Sequence, residues 1–420
     1  MSQTVLLDPG IDLGSLNGSG LLVGSYLPNQ VLGVYVAATP VEDGEDGPKG
    51  ELDPPWMLEH AKQVLRMLPG GVHVIGFVFS DPEILNKSES KIRKLLAGLR
   101  GLDDEVGDVI FLVPNSKGLS LGKEEIKNIT YKVTEQSIDY VLLDTHCILD
   151  IPVAITCGEN STQMLFSQAA KGVEKFERTL RTGVCLVNHG IMKGEEPICP
   201  AQFDTKKRSK GKPKDEDDEE GQQIKFDVQV LVKDDPNVKE DVDIGNNNVR
   251  IKLAGKLKSR ACVPHGTSLE QCKHAVLQDI MRSLRGRILL HCDSLVGEEG
   301  GEGEAGDGPI VHEPPRRVFT NLPGTQICIS DYLYPGEGGE DAIESIKEIF
   351  GFGVQEEDIE DDLELVAAAK EVKPEKEKNS EPVPSSGLKY VIVALGIGAL
   401  AALLAWFNKR SSDQDNSAEL

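Results

Sequence analysis

Residues 56–82 read WMLEHAKQVLRMLPGGVHVIGFVFSDP, and this stretch restricts the fold more than any other. Met57, Leu58, Ala61, Val64, Leu65 and Leu68 recur at helical spacing and give a single apolar face. Pro54 and Pro55 suit a helix entry, and Asp53 is expected to cap it. Pro69-Gly70-Gly71 stops the helix. Val72 to Phe79 then runs apolar without interruption, as a strand does at the centre of a sheet covered on both faces. His60 and His73, single histidines in this stretch, read as packing or surface residues rather than ligands.

The rest of the chain supplies both kinds of element. Residues 18–39 alternate short apolar runs around Pro28-Asn29 and predict a hairpin or two adjacent strands. A second helix is expected over 83–99, with Ile84, Leu85, Ile92, Leu95, Leu96 and Leu99 as its apolar set. Strands are expected at 108–113, 131–133, 139–143, 151–156, 184–188, 226–232 and 249–263, with a helix near 166–181. Ser268 and Gln271 form a capping-box pattern that opens a helix over 267–285, and residues 287–295 read as a further strand. Two strands bracket Leu322-Pro323-Gly324, and 340–369 reads as an acidic helix, most acidic over 356–364. The fold class is therefore α+β, an α/β sandwich rather than a helical bundle.

Charge and cysteine use limit the function classes. The chain has 420 residues and a net charge of −24, which excludes nucleic acid as a partner because a polyphosphate needs a basic footprint. The one basic run, 206–214, is followed at once by the acidic run 215–220 and reads as a disordered linker of opposed charge blocks. The eight cysteines show no CxxC pairing, and the N-terminal residues show no secretory pattern, so the body is expected in a reducing, cytosolic setting.

Residues 390–407, YVIVALGIGALAALLAWF, form an uncharged run of about 27 Å as a helix, close to the hydrocarbon thickness of a bilayer. Leu388 and Tyr390 at one end, with Trp406 and Phe407 at the other, are expected to anchor it at the two interfaces. The expected organisation is a first domain over 1–200, a charged linker over 201–223 and an α+β domain over 224–352. An acidic helix and spacer follow over 353–387, then a transmembrane helix over 388–407 and a short tail over 408–420.

Few residue groups point to catalysis. The chain has no GxxxxGK[ST] phosphate loop and no GxGxxG opening a helix, and no cofactor is expected. Asp144, His146, Cys147 and Asp150 gather a thiol, an imidazole and carboxylates, but neighbouring residues on a strand face opposite ways. Cys185, His189 and Cys199, and likewise Cys262, His265 and Cys272, match no common zinc spacing and lack a fourth ligand.

Two resemblances are carried by specific residues. Val74 to Pro82 resembles the end of the central strand of the MPN/JAMM fold, whose metalloproteases carry Gly-Trp-Tyr-His-Ser-His-Pro there. Gly18 to Gly24 resembles that fold's early Gly-x-Leu-x-Gly strand. In this alignment Phe79 and Asp81 stand where the two zinc histidines would be, which implies an MPN-like domain with its metal site degraded. A longer resemblance is to the Odr-four-like family, the odorant-response-abnormal protein four homologues. It rests on Trp56, Glu59-His60-Ala61, Gln63-Val64, Arg66 to Gly71, Arg317-Val318-Phe319, Leu322-Pro323-Gly324 and Asp331-Tyr332, with the terminal span. It implies a non-enzymatic, single-pass protein of the endoplasmic reticulum membrane with its body facing the cytosol. Its partners would be the lipid bilayer, a subset of G-protein-coupled receptors as cargo, and a ufmylation-specific cysteine protease. The rival expectation is an enzyme, either a divergent metallo-isopeptidase or a thiol hydrolase.

Overall fold

In the first eight strands, apolar runs are folded into one sheet with β4 (His73–Phe79) near its middle. The computed structural model describes residues 4–40, 52–84, 89–114, 118–122, 126–156, 162–190, 194–198, 224–231, 248–297, 310–312, 314–334 and 336–364. Strands β1 (Thr4–Leu7), β2 (Ser19–Leu27), β3 (Gln30–Ala38), β5 (Val109–Leu112), β6 (Gly118–Leu121), β7 (Ile126–Ile129) and β8 (Tyr131–Val133) join β4 in the order β7-β6-β5-β4-β2-β3-β1-β8. The expected hairpin is β2 and β3. Every residue of β4 is buried, as its uninterrupted apolar sequence requires. Val74, Phe77 and Phe79 join one core, while Ile75 and Val78 join another on the opposite face. Gly76 permits a close approach: a Cβ there would lie 1.9 Å from the Ile110 carbonyl oxygen.

Helix α1 (Pro54–Met67) buries Met57, Ala61, Val64 and Leu65 as its spacing foretold. Asp53 precedes it but makes no side-chain capping bond, contrary to expectation; prolines fill the first turn, where an N–H would otherwise need a cap. The second expected helix is described as α2 (Glu89–Leu102), with Glu83 and Ile84 also helical and residues 85–88 outside the described residues. The Asp81 carboxylate takes the Glu83 N–H at 2.8 Å, and the Ile84 N–H reaches the Asp81 carbonyl at 3.3 Å, at the entry to these helical residues.

The chain changes sheet between Val133 and Tyr140, inside the stretch assigned to a first domain. Strands β9 (Tyr140–Thr156), β10 (Val184–Val187), β11 (Ile224–Leu231), β12 (Asn248–Pro264) and β13 (Ile310–His312) form a second sheet, ordered β10-β11-β9-β12-β13. The two strands expected at 139–143 and 151–156 are one, because the antiparallel ladder to β12 runs unbroken from Tyr140↔Pro264 to Thr156↔Asn248. Helix α3 (Thr162–Arg181) and helix α4 (Leu269–Gly297) pack with this sheet.

Ser268 and Gln271 exchange capping bonds at the start of α4, as expected. The strand expected over 287–295 is instead the second half of α4. Ile280, Leu284, Ile288 and Cys292 continue the buried row at intervals of four, and Arg287 donates to Ser283 one turn back at 3.0 Å. A short apolar run carries too little periodicity to separate helix from strand.

The Leu322-Pro323-Gly324 turn joins β14 (Arg316–Asn321) to β15 (Cys328–Leu333), a hairpin sharing the core of α1 and α5 (Gly339–Phe350). The acidic helix expected to continue past 350 ends at Gly351, which adopts a left-handed φ of 80°. The following chain turns back through a 3₁₀ turn at Glu356–Asp358 and pairs with β14, with Phe319 and Glu360 exchanging backbone bonds of 3.1 and 2.9 Å. No described helix is long and apolar enough to cross a membrane. The expected linker over 201–223, Asp150's side chain, Cys199, and everything over 365–420, including Leu388, Tyr390, Trp406 and Phe407, lie outside the described residues.

The Pro-Gly-Gly break is where the first layer meets the second. The Gly70 carbonyl takes the Cys262 N–H at 2.9 Å, and the Gly71 carbonyl takes the Ser25 hydroxyl at 2.7 Å. Tyr140 at the start of β9 donates to that same Ser25 oxygen at 2.9 Å. A Cβ on Gly70 would lie 1.9 Å from the Ala275 carbonyl oxygen of α4, whereas one on Gly101 meets nothing within 4 Å. Gly70→Ala is therefore expected to cost roughly 3 kcal/mol in urea unfolding. Gly101→Ala, near the end of α2, should be neutral or stabilising by up to about 1 kcal/mol. Equal effects of the two changes would contradict this junction.

Candidate functional site

At the end of β4, Phe79 is buried and stacked on Phe111, with ring centroids 6.4 Å apart and planes 12° from parallel. Phe77 stacks on the same ring at 5.5 Å. Asp81 is exposed and holds the Glu83 N–H. Ser80 between them exchanges bonds with Gly18: its N–H donates to the Gly18 carbonyl at 2.9 Å, and its hydroxyl oxygen accepts the Gly18 N–H at 3.1 Å. The β4 terminus is thus a packed crossing with β2. Among the described residues no three His, Cys, Asp or Glu side chains gather as metal ligands.

The thiol candidates are separated by the fold. His146 is exposed and Cys147 half-buried on the opposite face of β9. Burial pushes the Cys147 thiol up to about 12, so it stays protonated and poorly nucleophilic. Asp144 is occupied by Lys225 and Lys258, each 2.5 Å away. Cys185 is buried with its thiol pKa raised by desolvation, while His189 sits exposed in the left-handed region at φ 64°. Cys262 and Cys272 belong to different cores, and burial raises both thiols, Cys272 to about 12.

Charged side chains do converge at Asp279, which has no exposed surface. Its carboxylate receives both ends of the Arg317 guanidinium at 2.8 and 3.0 Å. It also takes the Gly70 N–H at 3.1 Å, the Ser259 hydroxyl at 2.8 Å and the Arg260 N–H at 3.1 Å. Burial opposes the Arg317 charge, but Asp279 outweighs it and holds that pKa above its ordinary value. The returning C-terminal segment completes the assembly. Glu360 pairs with Arg260 at 2.5 and 2.7 Å, and Glu364 pairs with Arg287 at 2.7 and 2.6 Å. The residues of the two Odr-four-like blocks, far apart in sequence, meet here through Gly70 and Arg317.

Beside this cluster lies a groove of about 550 Å³ between α1, the end of α2, and α4. Two histidine–carboxylate pairs contribute to it, Asp103 of one and both members of the other lining the groove. His73 Nδ1 lies 2.8 Å from buried Asp103, and His274 Nε2 lies 3.0 Å from Glu105. Gln278 also donates to Glu105, and Arg282 reaches Asp103 at 3.5 Å while holding the Leu68, Pro69 and Val72 carbonyls. Burial would raise the Asp103 pKa, yet the His73 hydrogen bond and the His73 and Arg282 charges bring it down to about 2. The Glu105 hydrogen bond raises His274 above its ordinary value. Sequence reasoning passed over Asp279, Asp103 and Arg282; their only signal was a charge on or beside an amphipathic helix, which ordinarily marks a solvated face.

These residues define an α+β body whose buried charges are engaged with one another. The sequence profile of the ODR4-like family, Odorant response abnormal 4-like, matches residues 20–361, and the chain belongs to that family. The chain is 24% identical to the protein odr-4 homolog of Mus musculus over 430 residues, covering 91% of this chain and 92% of that protein. It is 25% identical to the Homo sapiens protein odr-4 homolog, covering 81% of this chain and 80% of that protein. It is 24% identical to Odorant response abnormal protein 4 of Caenorhabditis elegans, covering 88% and 79%. None of these names is that of an enzyme. Among solved structures, UfSP from C. elegans overlays with a TM-score of 0.34 and 9% identity, covering 80% of this chain and 52% of that one. A likeness that loose carries no conclusion.

The two pairs should titrate in opposite senses. Asp103 is depressed in the fold, so its contribution is complete above its unfolded value of 3.8 and is lost as pH falls through about 2. That contribution is roughly 2 kcal/mol at ~1.4 kcal/mol per pH unit. Asp103→Asn should lose it at neutral pH, with the gap to wild type closing as acid protonates Asp103. His274 is raised, so its contribution is complete below 6.5 and fades as pH rises through its folded value. His274→Gln should flatten the stability profile around neutral pH. Denaturant titrations across pH measure both, and an Asp103→Asn protein as stable as wild type at neutral pH would refute the first.

Proposed function

We propose that this chain is a non-enzymatic, tail-anchored adaptor of the endoplasmic reticulum membrane. In this role it assists the folding or trafficking of a subset of G-protein-coupled receptors and holds a ufmylation-specific cysteine protease at that membrane. The observation that carries the proposal is the family match over residues 20–361, with a worm relative named for an abnormal odorant response. The uncharged run over 390–407, flanked by Leu388 and closed by Trp406 and Phe407, supports the anchor. The helix leading into a covered central strand, with donorless Phe79 at its end, supports an MPN-like first sheet whose strand end offers no metal ligand at Phe79. Protonated, buried thiols argue against the rival thiol hydrolase.

An adaptor of this kind works by proximity. Tethering a partner raises its effective concentration toward the millimolar range without any bond being made or broken. A body held by buried, mutually paired charges suits that task.

Deleting residues 388–420 should move the protein from the membrane pellet to the soluble fraction, with its thermal melt unchanged. Affinity capture of the full chain from membranes should co-purify the ufmylation protease. A truncated protein that still resists carbonate extraction would sink the anchor, and capture without the protease would sink the recruitment role.

A further inference from the structure

We propose that the groove between α1 and α4 holds a recognition site for a carboxylate side chain of a partner polypeptide, with Arg66 as its principal contact and the Tyr332 hydroxyl behind it. The proposal concerns this surface alone and holds whether or not the chain is membrane-anchored.

The groove's cations are spoken for, with one exception. Lys62 pairs with Glu59 at 3.2 Å, Arg181 and Arg285 share Glu177 at 2.6 and 3.0 Å, and Arg282 is held by Asp103 and three carbonyls. Arg66 makes no hydrogen bond or ion pair among the described residues, and its Nε is shut away from solvent without a partner. The Tyr332 hydroxyl is likewise buried and unpartnered, on a side chain only 6% exposed. The Arg66 charge favours the ionised form of buried Asp331, whose carboxylate is bonded by the Tyr332 N–H at 2.8 Å and by Ser345 rather than by Arg66. Two orphaned donors at one place need an explanation, since the large majority of buried polar groups in proteins are paired.

The helix above them places no side chain over Arg66 and Tyr332 at its nearest point. Gly286 interrupts the interior of α4, where glycine is among the poorest helix formers. A Cβ at that position would stand 3.4 Å from the Tyr332 hydroxyl and 3.5 Å from Arg66 Cγ. A guanidinium matches the two oxygens of a carboxylate in a fork of parallel bonds. Leu65, Leu289 and Leu290 line the same groove, so the site fits a carboxylate presented beside apolar side chains rather than a free anion.

The test is fluorescence anisotropy on the full chain with a labelled peptide, acetyl-Leu-Glu-Leu-Leu-Glu-Leu, and its counterpart with glutamine for glutamate. The glutamate peptide is expected to bind about tenfold or more tightly than the glutamine one. Arg66→Gln should erase that preference, and Arg66→Lys should keep only part of it. Because Arg66 makes no hydrogen bond or ion pair among the described residues and acts on Asp331 only through its charge, Arg66→Gln should melt within a few degrees of wild type. Gly286→Ala provides a second variant, expected to melt higher yet bind several-fold more weakly. Absence of binding at millimolar peptide, equal binding of the two peptides, or a preference that survives Arg66→Gln would overturn the proposal. Equal displacement by millimolar inorganic phosphate would assign the site to oxyanions at large and overturn the polypeptide assignment.

Discussion

The ion pair of Asp279 and Arg317, with neither side chain more than 1% exposed, is the interaction on which the rest of the body depends. Two charges removed from water are costly unless every lone pair and N–H is satisfied, and breaking such a pair strands the survivor. Here the satisfaction comes from distant parts of the chain. Gly70 contributes its N–H from the end of α1, Ser259 and Arg260 contribute from β12, and Ser330 Oγ accepts the Arg317 Nε–H at 2.7 Å from β15. Arg317 also lies 5.1 Å from the centre of the Phe319 ring, whose face favours a cation. The two sheets, the hairpin and α4, the longest described helix, are thereby fixed to a single carboxylate.

That arrangement bears on function. Charges that catalyse are usually left partly unsatisfied and face a cleft; here the buried ones face each other. The returning acidic segment makes the same point, since Glu364 gives both oxygens to Arg287 and also takes the Arg317 and Lys258 N–H groups at 2.6 and 2.7 Å. A body fastened in this way presents surfaces of fixed shape, which suits an adaptor. The groove over Arg66 is a place where two unpartnered buried donors lie together.

Legibility in the sequence followed the physics of each element. The helix, Pro-Gly-Gly break and apolar strand of residues 56–79 were readable because periodicity and glycine chemistry are local, and so were the Pro28-Asn29 hairpin and the Ser268–Gln271 cap. The second half of α4 was not readable, because Ile288, Leu289 and Leu290 satisfy a strand pattern as well as a helical one. Asp279, Glu360 and Glu364 looked like members of solvated faces, since burial of a charge depends on partners tens to hundreds of residues away. Phe79 was readable as a position unable to bind metal, but its stacking on Phe111 was not. Arg66 stood out only as part of a family-like block; its lack of a partner is a property of the packed structure.

The most direct measurement is a double-mutant cycle in urea on Asp279→Asn and Arg317→Met, followed by tryptophan fluorescence and far-ultraviolet circular dichroism. Each single change is expected to cost roughly 3–5 kcal/mol, and the double change clearly less than their sum, because the stranded charge is removed. The two probes should report one shared transition for the wild-type body. Additive single effects of less than about 1 kcal/mol, or sheets that unfold in separate transitions, would contradict a fold organised around this pair.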